Sequence, residues 1–347
     1  MNAETENIKP LLDKVADGHF LSETEAGTAF DIIMSGNATP AQIGAFLMGL
    51  RVRGETVNEI TAAARIMRSK ALSIVAPENA IDVVGTGGDG AGTLNISTGA
   101  AIVVAGCGVP IAKHGNRALS SKTGAADVLS ALGVNINCEM SLIEKSIKEA
   151  GIGFMMAPRH HSATRHVAGP RVELATRTIF NILGPLSNPA SVKRLLVGVF
   201  DRKWVKPMAE VLRNLGAEKA WVVHGSDGLD ELTITGPTYV AAWENSEIKT
   251  FEISPDQAGI PYGTLEDLKG AGSEENASAM LQMLEGKPSA FRDVVVYTSA
   301  AALLIADKAK NLKQGSDIAK TAIANGSAKR TLEKLISITN EESDSVS

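Results

Sequence analysis

Four stretches of this chain carry residues suited to chemistry. The first reads Asp82-Val-Val-Gly85-Thr86-Gly87-Gly88-Asp89-Gly90, then Thr93, then Asn95-Ile96-Ser97-Thr98. A strand that runs into glycines, with hydroxyls opening the next helix, makes an anion site, because unhindered backbone N–H groups and a helix N-terminus face the negative charge. The loop lacks the Gly-Lys-Ser/Thr ending of a Walker A motif and is not a GxGxxG fingerprint. A tight structural turn is the competing reading. Asp89, suited to a metal or to ribose hydroxyls, and the hydroxyls of Ser97 and Thr98 count against it. The second stretch is Lys113-His114-Gly115-Asn116-Arg117-Ala118-Leu119-Ser120-Ser121. Its two cations, amide and two hydroxyls suit a phosphate better than a solvated loop.

The third stretch, Asp227-Gly228-Leu229-Asp230-Glu231, sets adjacent carboxylates after a strand. That suits Mg2+, which takes few protein carboxylates and completes its shell with water and ligand oxygens. Taken alone, a polar turn with exposed acids is the favoured reading. The fourth stretch runs from Pro158 to Pro189 and holds Arg159, Arg165, Arg171 and Arg177. Arginines gathered inside an acidic protein suit a substrate carboxylate, with a charged outer helix face as the alternative. His160, His161 and His166 lack the further ligands of a zinc site and read as polar lining or structure.

The elements that must position these residues fall into two sets. From Ile8 to about Ser73 the pattern is helical. Ser22 with Glu25 and Thr56 with Glu59 form capping boxes, and Thr39-Pro40 opens a helix through Phe46, Leu47 and Leu50. We read 1–73 as a small helical domain, with the segment near 165–185 a candidate addition to it. Strands are expected at 80–84, 109–112, 134–137, 154–156, 195–199, 219–223, 238–243 and 293–297. Helices are expected at 97–104, 125–132, 142–150, 204–215, 277–284, 300–308 and 315–336. Strands alternating with helices imply an α/β domain over 80–338 with a largely parallel central sheet flanked by helices. Residues 339–347 read as a polar tail.

Composition narrows the function classes. Of 347 residues 44% are hydrophobic and 21% charged, the balance of a folded soluble protein. A net charge of −5 and 4% aromatics argue against nucleic acid as the partner. The two cysteines, Cys107 and Cys138, are too few for a disulfide scaffold and fit a reducing cytosol. Met1 to Glu6 lacks the order of a signal peptide, and the apolar run from Ala100 to Ala112 is too short to span a bilayer. The expectation is a cytoplasmic protein.

In this order, Gly85-Thr-Gly-Gly-Asp89, Asn95-Ile-Ser-Thr98, Lys113-His-Gly-Asn-Arg117, Asp227-Gly-Leu-Asp-Glu231 and Arg171 to Pro189 closely resemble the anthranilate phosphoribosyltransferase family of the tryptophan pathway. The likeness covers about residues 8–335. It implies a homodimer of the fold shared with pyrimidine nucleoside phosphorylases. It also implies Mg2+-dependent transfer of phosphoribose from phosphoribosyl pyrophosphate (PRPP) to the amino nitrogen of anthranilate, releasing pyrophosphate. By matching position, Gly85, Gly88, Asp89, Thr93, Asn95, Ile96, Ser97, Thr98, Lys113 to Ser121 and Ala125 would hold PRPP. Ser97, Asp230 and Glu231 would hold Mg2+, and Gly85, Asn116 and Arg171 would contact anthranilate. Ala125 departs from the serine common at its position, and Ala175 from a glycine. No acid or base is assigned, since an aromatic amine is already neutral near pH 7. Lys113 is expected to steady the leaving group, and Phe46, Leu47 and Leu50 to offer an apolar face for the second copy. A pyrimidine nucleoside phosphorylase is the nearest rival, although its first anion loop usually reads Lys-His-Ser-Thr-Gly-Gly. A non-catalytic relative that binds nucleic acid is the other.

Overall fold

Three reciprocal capping boxes start the chain's helical part: Ser22 with Glu25, Thr39 with Gln42, and Thr56 with Glu59. Each satisfies orphan N–H groups at a helix start. They open α2 (Glu23–Met34), α3 (Pro40–Arg53) and α4 (Val57–Ser69), which follow α1 (Lys9–Ala16). Glu59 also ties the helices together. Its carboxylate, fully buried, accepts from Leu21 N–H at 2.9 Å and Arg53 Nη2 at 2.5 Å. Phe46, Leu47 and Leu50 point inward and are fully buried. They form core here, not the exposed face expected of them, because α3 is covered by its neighbours.

The computed structural model describes residues 7–118 and 122–342. After α4 come β1 (Ile81–Gly85), α5 (Ile96–Gly106), β2 (Ile111–Gly115), α6 (Ala125–Ala131), α7 (Met140–Glu149) and β3 (Ile152–Met156). Next are α8 (Ala157–His160), α9 (Arg165–Leu174), α10 (Phe180–Leu183), β4 (Arg194–Gly198), α11 (Val205–Asn214), β5 (Lys219–Gly225), β6 (Thr238–Glu244) and β7 (Glu247–Ile253). The chain closes with α12 (Ser273–Leu284), α13 (Ala290–Ile305), α14 (Leu312–Ala324) and α15 (Ser327–Thr339).

One sheet has the order β3-β2-β1-β4-β5-β6-β7, parallel through β5 and antiparallel beyond it. Alternation along the strands feeds two cores. Ile81, Val83, Ile111, Leu196 and Trp221 meet α5, α6 and α12 to α15 on one face. Val84, Ala112, Leu195, Val197 and Val222 share the other face with α11 and the N-terminal helices. Strand order reverses between β1 and its neighbours β2 and β4. A parallel sheet opens its ligand crevice at such a point, beyond the strands' carboxyl ends.

Four expectations fail. Residues 134–137 form no strand: Val134 and Ile136 are buried by packing rather than pairing, and Asn135 N–H donates to Thr339 Oγ1 of α15 at 3.2 Å. Asp293 to Tyr297 lies inside α13, capped by Ser289. This helix is buried on nearly every side, so it shows no polar period to distinguish it from a strand. The expected helix 315–336 is two, broken at Gly326 with φ +75°. β7 was not foreseen; it is an edge strand rich in charge, joined to β6 by Asn245 and Ser246, both at positive φ, the turn chemistry of a tight hairpin.

Candidate functional site

The strands β1, β2, β4 and β5 all end in glycine, at 85, 115, 198 and 225, and the cleft opens above them. After Gly85 the chain takes a left-handed path, with Gly87, Gly88, Gly90 and Gly92 at φ between +63° and +76°. Side chains resist those angles, so the run of glycines is a requirement of the turn. Asp89 Oδ1 accepts from Ala91 N–H at 3.0 Å and holds the loop's far side. The loop then delivers Asn95 to the start of α5, where Thr98 Oγ1 is buried without a hydrogen-bond partner among the described residues.

The second anion loop leaves β2. Lys113 is 2% exposed, and its ammonium donates to Val83 O at 2.6 Å beneath the floor. Burial lowers its pKa, against the pull of Asp82 and Glu231. The hydrogen bond to Val83 makes it a fixed arm under the cleft rather than a mobile one. His114 faces the other way: its Nδ1 meets Gly184 O at 3.2 Å and its ring lies edge-on to His161 at 5.1 Å. Burial pushes His114 down to about 3 and His161 to about 4, so both are neutral. Asp127 organises the rest, accepting from Ala118 N–H and Gly124 N–H at 2.9 Å each and pairing with Arg117 at 2.9 Å.

The acidic turn after β5 packs directly onto the strand ends. Asp227 Oδ2 accepts the hydroxyls of Thr233 at 2.6 Å and Thr235 at 2.8 Å, which fixes the turn. Asp230 Oδ2 accepts from Gly87 N–H at 2.5 Å, and Glu231 Oε1 accepts from Ser97 N–H at 3.1 Å. Burial raises Asp230 well above the usual carboxylate range, with the charges of Asp89 and Glu231 adding to it. Burial likewise lifts Glu231 to about 7, against the opposing pull of Lys113. Lys113 offsets only part of the charge of carboxylates crowded this way, and the donors are hard oxygens, so the set fits Mg2+. Among the described residues no group of three or more His, Cys, Asp or Glu is arranged to hold a metal. That accords with an ion that keeps water and ligand oxygens in its shell.

The cleft, about 250 Å³, is lined by Gly85, Gly88, Asp89, Thr93, Asn95, Ile96, Ser97, Thr98, Lys113 to Ala118, Ala125, Asp230 and Glu231. Leu119, Ser120 and Ser121 lie outside the described residues. Arg171 lines a larger hollow of about 920 Å³ that shares Gly88, Asp89, Gly92 and Asn181 with the cleft. Of the four arginines only Arg171 and Arg177 line this hollow. Arg159 turns away to the Cys138 carbonyl. Arg177 is spent on structure: it donates to Gly88 O and lies 4.3 Å from the Phe200 ring, while its own carbonyl accepts from Arg51. Sequence reasoning missed Thr123, Gly124, Lys269 and Gly270; the last two come from a stretch without any motif.

The a/b domain of the glycosyl transferase family matches residues 77–329, and the helical bundle domain of that family matches residues 9–71. An anthranilate phosphoribosyltransferase of Rhodospirillum rubrum is 61% identical over 96% of this chain and 96% of its own. The chain belongs to the anthranilate phosphoribosyltransferase family. Within that family, the crystal structure from Thermus thermophilus has a TM-score of 0.91 at 40% identity, covering 95% of this chain and 99% of that one. The Saccharomyces cerevisiae phosphoribosyltransferase in complex with PRPP and Mg gives 0.88 at 29% identity, covering 97% and 99%. Anthranilate phosphoribosyltransferases therefore share both the helical part and the α/β part seen here. No helix among the described residues is long and apolar enough to cross a membrane.

Proposed function

We propose that this chain transfers phosphoribose from PRPP to the amino nitrogen of anthranilate and releases pyrophosphate. One observation carries the reading: two anion loops and a buried carboxylate pair meet in one cleft, with the Arg171 hollow opening beside it. PRPP has a phosphate and a pyrophosphate and needs donors in two places. Gly85, Gly88, Asp89, Thr93, Asn95 to Thr98 and Ala125 form one side of its site, and Lys113 to Ala118 the other. Asp230, Glu231 and the Ser97 hydroxyl hold Mg2+, which when bound stabilises the charge growing on the pyrophosphate oxygens.

The bond from the ribose anomeric carbon to pyrophosphate oxygen breaks, and a carbon–nitrogen bond forms. The amine's proton leaves to water, so no base is required. Gly85 and Asn116 hold the ring edge of anthranilate and Arg171 its carboxylate. Lys113 contributes as fixed positive charge below the floor, and orientation supplies most of the acceleration. The working units are the helical part, 1–73, and the α/β part, 80–338. The enzyme acts in the cytoplasm as a homodimer.

The experiment is pyrophosphate release. It should require PRPP, anthranilate and Mg2+ together, and sedimentation should give a dimer mass. Release of free base from a pyrimidine nucleoside plus phosphate, with no pyrophosphate from PRPP, would favour the phosphorylase reading instead.

A further inference from the structure

A closed circuit of hydrogen bonds joins the first anion loop to Thr123, whose neighbour Gly124 shares the Asp127 carboxylate with Ala118 of the second loop, through a stretch that no motif covers. Asn276, in the first turn of α12 and 2% exposed, accepts from Ala271 N–H at 2.8 Å. Its Nδ2 donates to Asn95 Oδ1 at 3.1 Å. Asn95 in turn donates to Thr123 O at 3.4 Å, and the Thr123 hydroxyl returns to Ala271 O at 2.9 Å. The Ala271 N–H can only donate, and this fixes which end of each amide faces which partner. Asn95 and Thr123 line the cleft, whereas Asn276 and Ala271 do not.

The same stretch clasps the glycine loop from outside. Leu94 N–H donates to Leu268 O at 2.9 Å, Gly270 N–H to Gly92 O at 2.8 Å, and Lys269 Nζ to Ala91 O at 2.7 Å. One loop is therefore held along its length, and the circuit through Asn276 gauges its distance from the other.

We propose that Asn276 is a positioning residue that sets the span between the two anion loops. The proposal rests on the functional reading above. A ligand that must touch both loops, as PRPP does, needs that span fixed. Anthranilate meets the loops only at Gly85 and Asn116 and takes its charge contact from Arg171, outside the circuit, so it depends on the span far less. Without Asn276 each loop keeps its own turns, but Asn95 loses its buried side-chain partner and the Ala271 N–H its acceptor, which cuts the link between the loops.

The test combines calorimetric binding of PRPP with Mg2+ and steady-state kinetics. Asn276→Ala should raise the Kd and KM for PRPP about tenfold, equivalent to ~1.4 kcal/mol. The KM for anthranilate should stay within about twofold. Leu284→Ala, a buried position at the far end of α12, removes comparable packing and should leave the PRPP KM alone. Thr123→Val breaks the same circuit, so its effect on PRPP affinity should combine with Asn276→Ala less than multiplicatively; it also serves alone if Asn276→Ala does not fold. Equal rises in both KM values, the same rise from Leu284→Ala, or multiplicative effects would overturn the proposal. A wild type that neither binds PRPP nor consumes anthranilate overturns the functional reading instead. The circuit is then judged by deuterium exchange at residues 91–98, which Asn276→Ala should speed and Leu284→Ala should not; equal exchange in both overturns it.

Discussion

Replacing Gly198 by alanine should cripple the enzyme although that residue touches neither substrate. Gly198 ends β4, pairs with Gly85 and Val223, and accepts Thr86 N–H at 2.9 Å. A methyl group there would overlap the Asp230 backbone carbonyl and stand 3.3 Å from Glu231 N. Gly85 is crowded from the same side, since a methyl on it would meet the Asp230 carboxylate. The acidic turn thus rests on bare backbone. To reach ordinary contact, the Asp230 carbonyl must retreat by more than about 1 Å, and a misplacement of that size costs about 10²-fold in rate. Overpacking adds ~1–3 kcal/mol of lost stability. The assay is kcat against Mg2+ concentration, run well below the variant's unfolding temperature. Gly27→Ala is the control: nothing lies within 4 Å of its added methyl. It should keep kcat and gain about 1 kcal/mol of helix stability. Gly198→Ala with unchanged kcat and Mg2+ requirement would refute the reasoning.

Other outcomes follow from the same geometry. Asp230→Asn and Glu231→Gln should each lower turnover sharply and move the Mg2+ requirement upward, and an unchanged Mg2+ titration would remove the metal role. Arg171→Ala should raise the KM for anthranilate at least about tenfold while moving that for PRPP little; steady-state kinetics with each substrate varied decides it. His114 and His161 are buried neutral, with pKa values pushed from 6.5 to about 3 and about 4. A lowered pKa means stability that is complete above pH 6.5 and is lost as pH falls toward 4 and then 3. Burial raises Asp82 to about 6, Glu231 to about 7 and Asp230 well above the usual carboxylate range, and these three work the other way, gaining stability as pH falls. Removing one histidine isolates its contribution: urea midpoints of His114→Asn should fall less than those of the wild type between pH 7.5 and 4, and parallel profiles would contradict a neutral His114.

How much the sequence disclosed depended on whether local chemistry decided the structure. Two capping boxes, the helix start at Thr39-Pro40 and the glycine loop were legible because Ser22, Thr56, Pro40 and Gly87 to Gly92 act on neighbours a few residues away. The strand in place of half of α13 was a misreading with a physical cause: Val294-Val295-Val296-Tyr297 is apolar on every side, and only tertiary packing selects a helix for it. β7 was obscured by its charges, yet the Asn245-Ser246 turn before it was a usable signal. At the site, residue types gave the anion loops and the carboxylate pair. They did not reveal that Arg177 is tied to Gly88, or that Asn276 reaches Asn95 across 181 residues. Such contacts exist only once the sheet has brought its loops together.

The central claim is tested most directly by following anthranilate fluorescence in the purified protein. The account predicts decay in the mixture containing PRPP and Mg2+, and none when PRPP is omitted or EDTA is added. Folded protein that leaves the fluorescence constant in the complete mixture would contradict it.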